Sequence, residues 1–241
     1  MKNHKGYTLV EVLIALALGV IILSAIYSLV NMGQKSTYNI ERRVAASQDA
    51  RTALEMMSME IQMASYNPTR PDYEDSDFWV SSGNCTAYST HQTYKGIQSA
   101  TDSSITIEMD LDGDGRIHID DPEVTEVTEV TEVINYTYDS NNQYISRSTN
   151  CTGGDQPFLG DVPGNPRAVR VINTSAVPVF RYFNALGAEI AASSLPAGIP
   201  NIARIDITLW VETENADMNT GQRKKSFYST SIIPRNHVIT K

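Results

Sequence analysis

An acidic stretch near the middle of the chain has the spacing of a metal-binding loop. Residues 110–121 read D-L-D-G-D-G-R-I-H-I-D-D. Carboxylates occupy the first, third, fifth and twelfth positions of this loop: Asp110, Asp112, Asp114 and Asp121. Oxygens from alternate residues can wrap one side of a calcium ion, while the glycine at the sixth position permits a sharp turn. Arg116, at the seventh position, would contribute its backbone carbonyl.

The spacing resembles the calcium loops of EF-hand and dockerin-type proteins. Asp121 stands where EF-hands carry a glutamate, a predicted strand replaces the preceding helix, and Pro122 follows the loop. A metal-free acidic turn between two strands is the alternative, because Asp and Gly also favour turns for conformational reasons. The protein is expected to need no cofactor. Calcium is a candidate ligand of this loop, and its binding would stiffen the exposed segment.

A further carboxylate, Glu11, lies at the start of an uncharged apolar segment that runs from Val12 to Val30. The segment is as long as a membrane-spanning helix, which needs roughly 20 residues. Lys2 and Lys5 precede it and predict a cytoplasmic amino terminus with the remainder of the chain outside. A charged group in hydrocarbon is costly and usually functional, so a plain membrane anchor leaves Glu11 unexplained.

The sequence Gly6-Tyr7-Thr8-Leu9-Val10-Glu11 resembles the cleavage and methylation motif of type IV prepilins and type II secretion pseudopilins. The resemblance implies that a prepilin peptidase cuts between Gly6 and Tyr7 and methylates the new amino terminus. Tyr7 stands where the family more often has phenylalanine. The resemblance also implies that Glu11 pairs with a terminal amine during assembly, since a free amine at low dielectric needs an anion.

One long helix is predicted to carry this segment out of the membrane. Residues 31–66 contain no proline, and apolar residues recur every three or four positions. This apolar face consists of Ile40, Val44, Ala50, Leu54, Met57, Ile61 and Ala64. The spacing predicts a helix from Tyr7 to about Ser65, which Pro68 ends. The segment from Arg51 to Tyr66 also resembles the helix of PilW-like minor pilins.

The remainder of the chain predicts a β-rich head. Alternating polarity marks candidate strands at 104–109, 133–138, 143–148, 168–172, 177–183, 205–211 and 227–233. Asp139 to Asn142 reads as a hairpin turn. The predicted fold class is therefore α+β, with a long helix packed on an antiparallel sheet, as in pilins. The predicted regions are the leader 1–6, the apolar half of the helix 7–30, its amphipathic half 31–67, and the head 68–241.

Cys85 and Cys151 are the two cysteines of the chain. Because the head is predicted to lie outside the cytoplasm, a structural disulfide is the expected state. A catalytic thiol would need a nearby base, and His91 is the histidine closest to either cysteine in sequence.

Two remaining features are interpreted as surface features. Residues 123–133 repeat Glu-Val-Thr with a period of three, which matches neither a strand nor a helix and indicates expansion within a surface loop. A calcium-supporting or partner-binding strip is the alternative.

The cluster 223–225 reads as a solvated hairpin tip. The net charge of −9 argues against nucleic-acid binding, and no enzymatic motif is present in the sequence.

These observations predict a minor pilin, not an enzyme, which takes part in type IV pilus assembly within a priming or tip complex. Its expected partners are other minor and major pilins, the prepilin peptidase and the inner-membrane assembly platform. It is expected to cross the inner membrane once, with its head in the periplasm, and then to reach the pilus at the cell surface. A minor pseudopilin of type II secretion and a calcium-dependent pilus-tip adhesin are the alternatives.

Overall fold

The computed structural model describes residues 6–68, 95–113, 117, 132–149 and 154–237. A single long helix, α1 (Leu9–Gln62), is followed by nine strands. These are β1 (Ile97–Ala100), β2 (Ser104–Glu108), β3 (Val133–Asp139), β4 (Tyr144–Thr149), β5 (Gln156–Leu159), β6 (Val169–Val171), β7 (Phe180–Phe183), β8 (Arg204–Thr213) and β9 (Lys225–Ile232). A short helical turn, α2 (Leu195–Gly198), precedes β8.

The strands form two antiparallel sheets. The first has five strands in the order β1-β2-β3-β4-β5. In the second, β8 is central: β9 pairs along one of its edges, while β6 and β7 pair with opposite ends of the other edge. The long helix packs mainly against β8 and β9 and also contacts β5 and β6. The α+β prediction, a long helix on antiparallel sheets, is therefore confirmed.

The two halves of α1 differ in their surroundings. The apolar side chains from Leu9 to Val30 are largely exposed, and an 18-residue stretch of the helix is long and apolar enough to cross a membrane. In the second half, Ala46, Ala50, Ala53, Met57 and Ile61 are buried against the head. Along β8, buried and half-buried residues alternate strictly, and the buried ones complete this core.

The predicted apolar face of the second half is only partly correct. Ile40 and Val44 are 60% and 47% exposed, whereas the small residues Ala46 and Ala53 are buried. The reason is geometric: the head already touches the helix at Asn39, whose Oδ1 accepts a hydrogen bond from the Met218 N–H at 3.0 Å, but the buried face begins only at Ala46.

The seven predicted strands are present with small shifts at their ends, and the β3–β4 hairpin turns at residues 140–143 as predicted. The Asp139 carboxylate accepts hydrogen bonds from the backbone N–H groups of Asn141 and Asn142, at 2.8 and 3.0 Å. Two short strands, β1 and β5, were not predicted.

The end of α1 is fixed to the first sheet by a close backbone approach. Ser65 adopts a left-handed conformation with φ of 66°, and its N–H donates to the Glu108 carbonyl at 2.9 Å. Its hydroxyl accepts a hydrogen bond from the N–H of Gly96 at 3.0 Å. A Cβ on Gly96 would lie 2.1 Å from the Ser65 nitrogen, so this crossing requires glycine.

Candidate functional site: the amino-terminal segment

The first turn of α1 is closed by a reciprocal pair of side chains. Thr8 is the N-cap, and its hydroxyl accepts a hydrogen bond from the Glu11 N–H at 3.3 Å. Oε2 of Glu11 in turn accepts from the backbone N–H and the hydroxyl of Thr8, each at 2.9 Å. This capping box satisfies backbone donors that a helix start leaves unpaired. The sequence analysis missed it, although the Thr-x-x-Glu spacing at residues 8–11 is a readable signal.

In the structure Glu11 serves as the capping carboxylate at the start of α1. It lies in the first turn, where the helix dipole favours negative charge. It also lies close to the peptide bond at which the predicted cut would create a new amine, because the Tyr7 residue directly precedes Thr8. The geometry allows the carboxylate to cap the helix and to face a nearby cation.

Gly6 and Tyr7 form an exposed lead-in to the helix. Tyr7 is 89% exposed. A Cβ added to Gly6 would meet no other atom of the described residues within 4 Å, so this part of the fold does not require glycine at this position. A requirement for glycine here would have to come from another protein.

The surface that follows Glu11 is a shallow apolar groove along one side of α1. It has a volume of about 590 Å³ and is lined by Tyr7, Glu11, Val12, Ala15, Leu16, Gly19, Val20 and Leu23. Exposed apolar surface of this extent is unfavourable in water and marks a region that lipid or another helix covers.

The predicted calcium residues are only partly described. Asp110 is buried and Asp112 is exposed, and the structure adds Glu132, which was not among the predicted loop ligands but lies in the 123–133 repeat. One carboxylate oxygen of each lies within 4.8 Å of those of the other two. The turn is organised by Oδ1 of Asp110, which accepts from the Gly113 N–H at 2.7 Å, and by Oε1 of Glu132, which accepts from the Leu111 N–H at 2.9 Å. Asp114, Arg116 and Asp121 lie outside the described residues, so calcium binding stays a prediction.

Both cysteines of the predicted disulfide, Cys85 and Cys151, also lie outside the described residues. The disulfide therefore stays a prediction.

A serine and a histidine meet at the base of the head. The Ser65 hydroxyl and Nδ1 of His237 are 3.3 Å apart, and Nε2 of His237 lies 3.0 Å from the Ile199 carbonyl. Ser65 is 0% and His237 3% exposed, so no substrate can reach the hydroxyl without unfolding of this region. The pair acts as a structural contact between the carboxyl-terminal turn and the end of α1.

Comparison with known proteins supports the amino-terminal interpretation. Residues 1–27 match the prokaryotic N-terminal methylation motif. Comparisons with curated proteins and with solved structures gave no match. The motif and the apolar helix support a type IV pilin-like or pseudopilin-like protein that is anchored in a membrane. They point to a structural role for the chain.

Proposed function

We propose that the chain is a minor pilin that joins a priming or tip complex of a type IV pilus. The match of residues 1–27 to the methylation motif carries this proposal. The uncovered apolar half of α1 supports it, since such a helix can exchange lipid for neighbouring helices when a subunit moves from membrane to filament. The large β-rich head favours a specialised subunit over a simple repeating one.

In this proposal, prepilin peptidase removes residues 1–6 and methylates the amine of Tyr7. Gly6 fits a recognition role, because nothing around it in the described structure needs a glycine. The new amine of one subunit then lies near Glu11 of the same or a neighbouring subunit. Their attraction, strong in a low-dielectric helix bundle, would help to set the axial position of the subunit.

The proposed route runs from the inner membrane, with the head in the periplasm, to the pilus on the cell surface. The proposed partners are other minor and major pilins and the inner-membrane assembly platform. Calcium at the Asp110 loop and a disulfide between Cys85 and Cys151 are additional proposals about the head. A minor pseudopilin of type II secretion would share the same amino-terminal chemistry.

Mass spectrometry of the amino-terminal peptide from native membranes tests the proposal. We expect a peptide that begins at Tyr7 and carries one methyl group in the wild type, and an uncut chain in Gly6→Leu. Gly33→Ala is the matched control, because Gly33 is also exposed and a Cβ there would meet no other described atom within 4 Å; this variant should be cut normally. An intact Met1 in every variant would contradict the pilin assignment.

A second measurement separates the pilus from the secretion pseudopilus. Filaments sheared from the cell surface should contain the processed chain at low abundance relative to the major subunit if it is a minor pilin. Processed chain that is confined to the cell envelope, together with loss of protein secretion in a deletion strain, would favour the pseudopilin alternative.

A further inference from the structure

Among the residues that the structure describes, the strand β9 forms a long open edge of the second sheet. It pairs with β8 over eight consecutive residue pairs without a register shift. Other outer edges in the described part of the chain are shorter or covered: β1 and β5 have four residues and β6 has three. The outer edge of β7 is covered, since its Tyr182 carbonyl accepts a hydrogen bond from the Ile190 N–H.

The hydrogen-bond pattern shows which groups of β9 point outward. The Thr213 N–H donates to the Lys224 carbonyl at 2.9 Å, so this pair is of the hydrogen-bonded kind. Such pairs alternate along an antiparallel ladder, and the bonded residues of β9 are therefore Ser226, Tyr228, Thr230 and Ile232. The outward N–H and C=O groups belong to Lys225, Phe227, Ser229 and Ser231. Across the described residues, these groups have no hydrogen-bond partner.

Within the described ranges, the edge also lacks the features that normally prevent strand addition. Proteins protect exposed edges with proline, bulges, inward-pointing charges or covering segments. The sequence of β9, K-S-F-Y-S-T-S-I, contains no proline, and its one charge is Lys225 at the beginning of the strand. Phe227, which is 59% exposed, presents an apolar contact on the outer face of the sheet. Such an edge is a template for an incoming strand.

Antiparallel pairing of two copies through this edge conflicts with membrane anchoring. An antiparallel pair of β9 strands has a twofold axis perpendicular to the sheet. That axis reverses every direction within the sheet plane, including that of α1, which packs on the face of β8 and β9. The two apolar helices would then leave the pair in opposite directions and could not enter one membrane.

The charges at the start of β9 indicate the chemistry of the partner. Arg223, Lys224 and Lys225 are consecutive cations in a chain of net charge −9. Arg223 and Lys224 are 39% and 44% exposed and make long ion pairs of 3.8 and 3.9 Å. Lys225 lies over the Trp210 ring at 5.5 Å, and no carboxylate pairs with it within the described ranges. An acidic side chain on the incoming strand would meet this end of the edge.

We propose that β9 accepts an extended, acidic strand from a neighbouring protein subunit by edge addition. β-Branched residues in the incoming strand would suit its extended backbone. The outward groups of Lys225, Phe227, Ser229 and Ser231 pair with its backbone, and the cations 223–225 attract its carboxylates. That the neighbour is a filament subunit rests on the proposed function, whereas strand addition itself does not.

Peptide binding to the full-length protein in detergent micelles tests this inference. The probe is a fluorescent peptide E-V-T-E-V-T-E-V-T, the sequence of residues 123–131, chosen because it is acidic and β-branched. We expect saturable binding that weakens with salt. Ser229→Pro should weaken it about tenfold or more, because proline removes an outward N–H and blocks the edge while the pairing with β8 is kept. Ser229→Ala is the matched control and should bind as the wild type does.

Each outcome decides the matter. No binding of the acidic peptide to the wild type would overturn the proposal, and so would equal binding to Ser229→Pro, whose fold is checked by its thermal melting. Equal binding of the inverted peptide K-V-T-K-V-T-K-V-T would overturn the assignment of an acidic partner. Failure of amino-terminal processing would remove the filament assignment and leave strand addition intact, so the two failures are distinguishable.

Discussion

The guanidinium of Arg147 on β4 donates two hydrogen bonds to the carboxylate of Glu60 on α1, from Nη2 to Oε1 at 2.8 Å and from Nε to Oε2 at 3.2 Å. Their side chains are 22% and 17% exposed. The Tyr136 hydroxyl donates to the same carboxylate. This contact ties the last turns of the helix to the first sheet.

Loss of this ion pair should destabilise the head. We expect Arg147→Met to lower the free energy of unfolding by about 2 kcal/mol, because the largely buried Glu60 carboxylate then loses two hydrogen bonds and keeps the one from Tyr136. Arg181→Met is the matched control: its pair with Glu189 is 46% and 44% exposed and should be worth less than about 1 kcal/mol. Urea unfolding of the full-length protein in detergent measures both, and equal losses would contradict the assigned role.

His237 should make the stability of the head depend on pH. Burial lowers its pKa, and the nearby Lys95 lowers it further, while the Ile199 carbonyl raises it. The native state thus keeps the ring neutral, whereas the unfolded chain takes up a proton below its ordinary pKa near 6.5. Stability is therefore lost as pH falls from about 7 towards 5, by at most about 1.4 kcal/mol per pH unit.

The variant His237→Gln isolates this effect, since other groups also titrate in that range. Unfolding measured across the same pH range should show a shallower decline for the variant. Parallel curves for wild type and variant would show that His237 does not carry the dependence.

Gly96→Ala should be among the most damaging small substitutions in the head. The added Cβ would lie 2.1 and 2.4 Å from backbone atoms of Ser65 and 2.5 Å from the Glu108 carbonyl, so the backbone must move. We expect a loss of about 3 kcal/mol or more. Gly33→Ala, in an open helical position, should instead be neutral or stabilising by up to about 1 kcal/mol. Thermal melting distinguishes them, and a mild Gly96→Ala would argue against a fixed crossing.

The longer elements of the fold could be predicted because their patterns are local. The alternation of β8 and the unbroken helical spacing of α1 are visible in the sequence. The strands β1 and β5 are four residues each, and β5 contains Pro157, so neither shows a usable period. Both exist because β2 and β4 offer them an edge. Likewise, helical spacing could not show that the buried face of α1 begins at Ala46.

The amino-terminal site was largely readable and the acidic cluster was not. The motif from Gly6 to Glu11 is contiguous, so its residues are neighbours in any fold. Glu132, by contrast, reaches Asp110 because β3 pairs with β2, with Val133 opposite Glu108. A contact of that kind depends on strand register, which a linear loop motif does not contain.

Glu11 and Thr8 can be separated experimentally because they share one hydrogen-bonded turn but differ in charge. We expect Glu11→Gln to be processed normally and to be depleted from assembled filaments, since the neutral amide cannot balance a terminal amine. Thr8→Val removes the cap hydroxyl and keeps the carboxylate, so it should cost the helix start about 1 kcal/mol and leave assembly nearly intact. The measurement is the ratio of processed chain in sheared filaments to that in membranes. Equal depletion of both variants would mean that capping, not charge, is the function of Glu11.

Calcium binding at the acidic loop should raise the stability of the head. With a dissociation constant of about 10⁻⁴ M, typical of extracellular sites, millimolar calcium would add roughly 1.5 kcal/mol to stability. The melting temperature should then be several degrees higher in calcium than in chelator. Asp112→Asn should reduce this difference, since it removes a charged ligand from the cluster with Asp110 and Glu132. Asp155→Asn, an exposed acid elsewhere on the head, is the control and should keep the full difference.

Magnesium should not substitute for calcium, because its smaller coordination shell demands stricter octahedral geometry. Equal melting of the wild type in calcium and in chelator would leave the metal-free turn as the correct interpretation, with the hydrogen bonds of Asp110 to Gly113 and Glu132 to Leu111 sufficient to hold it.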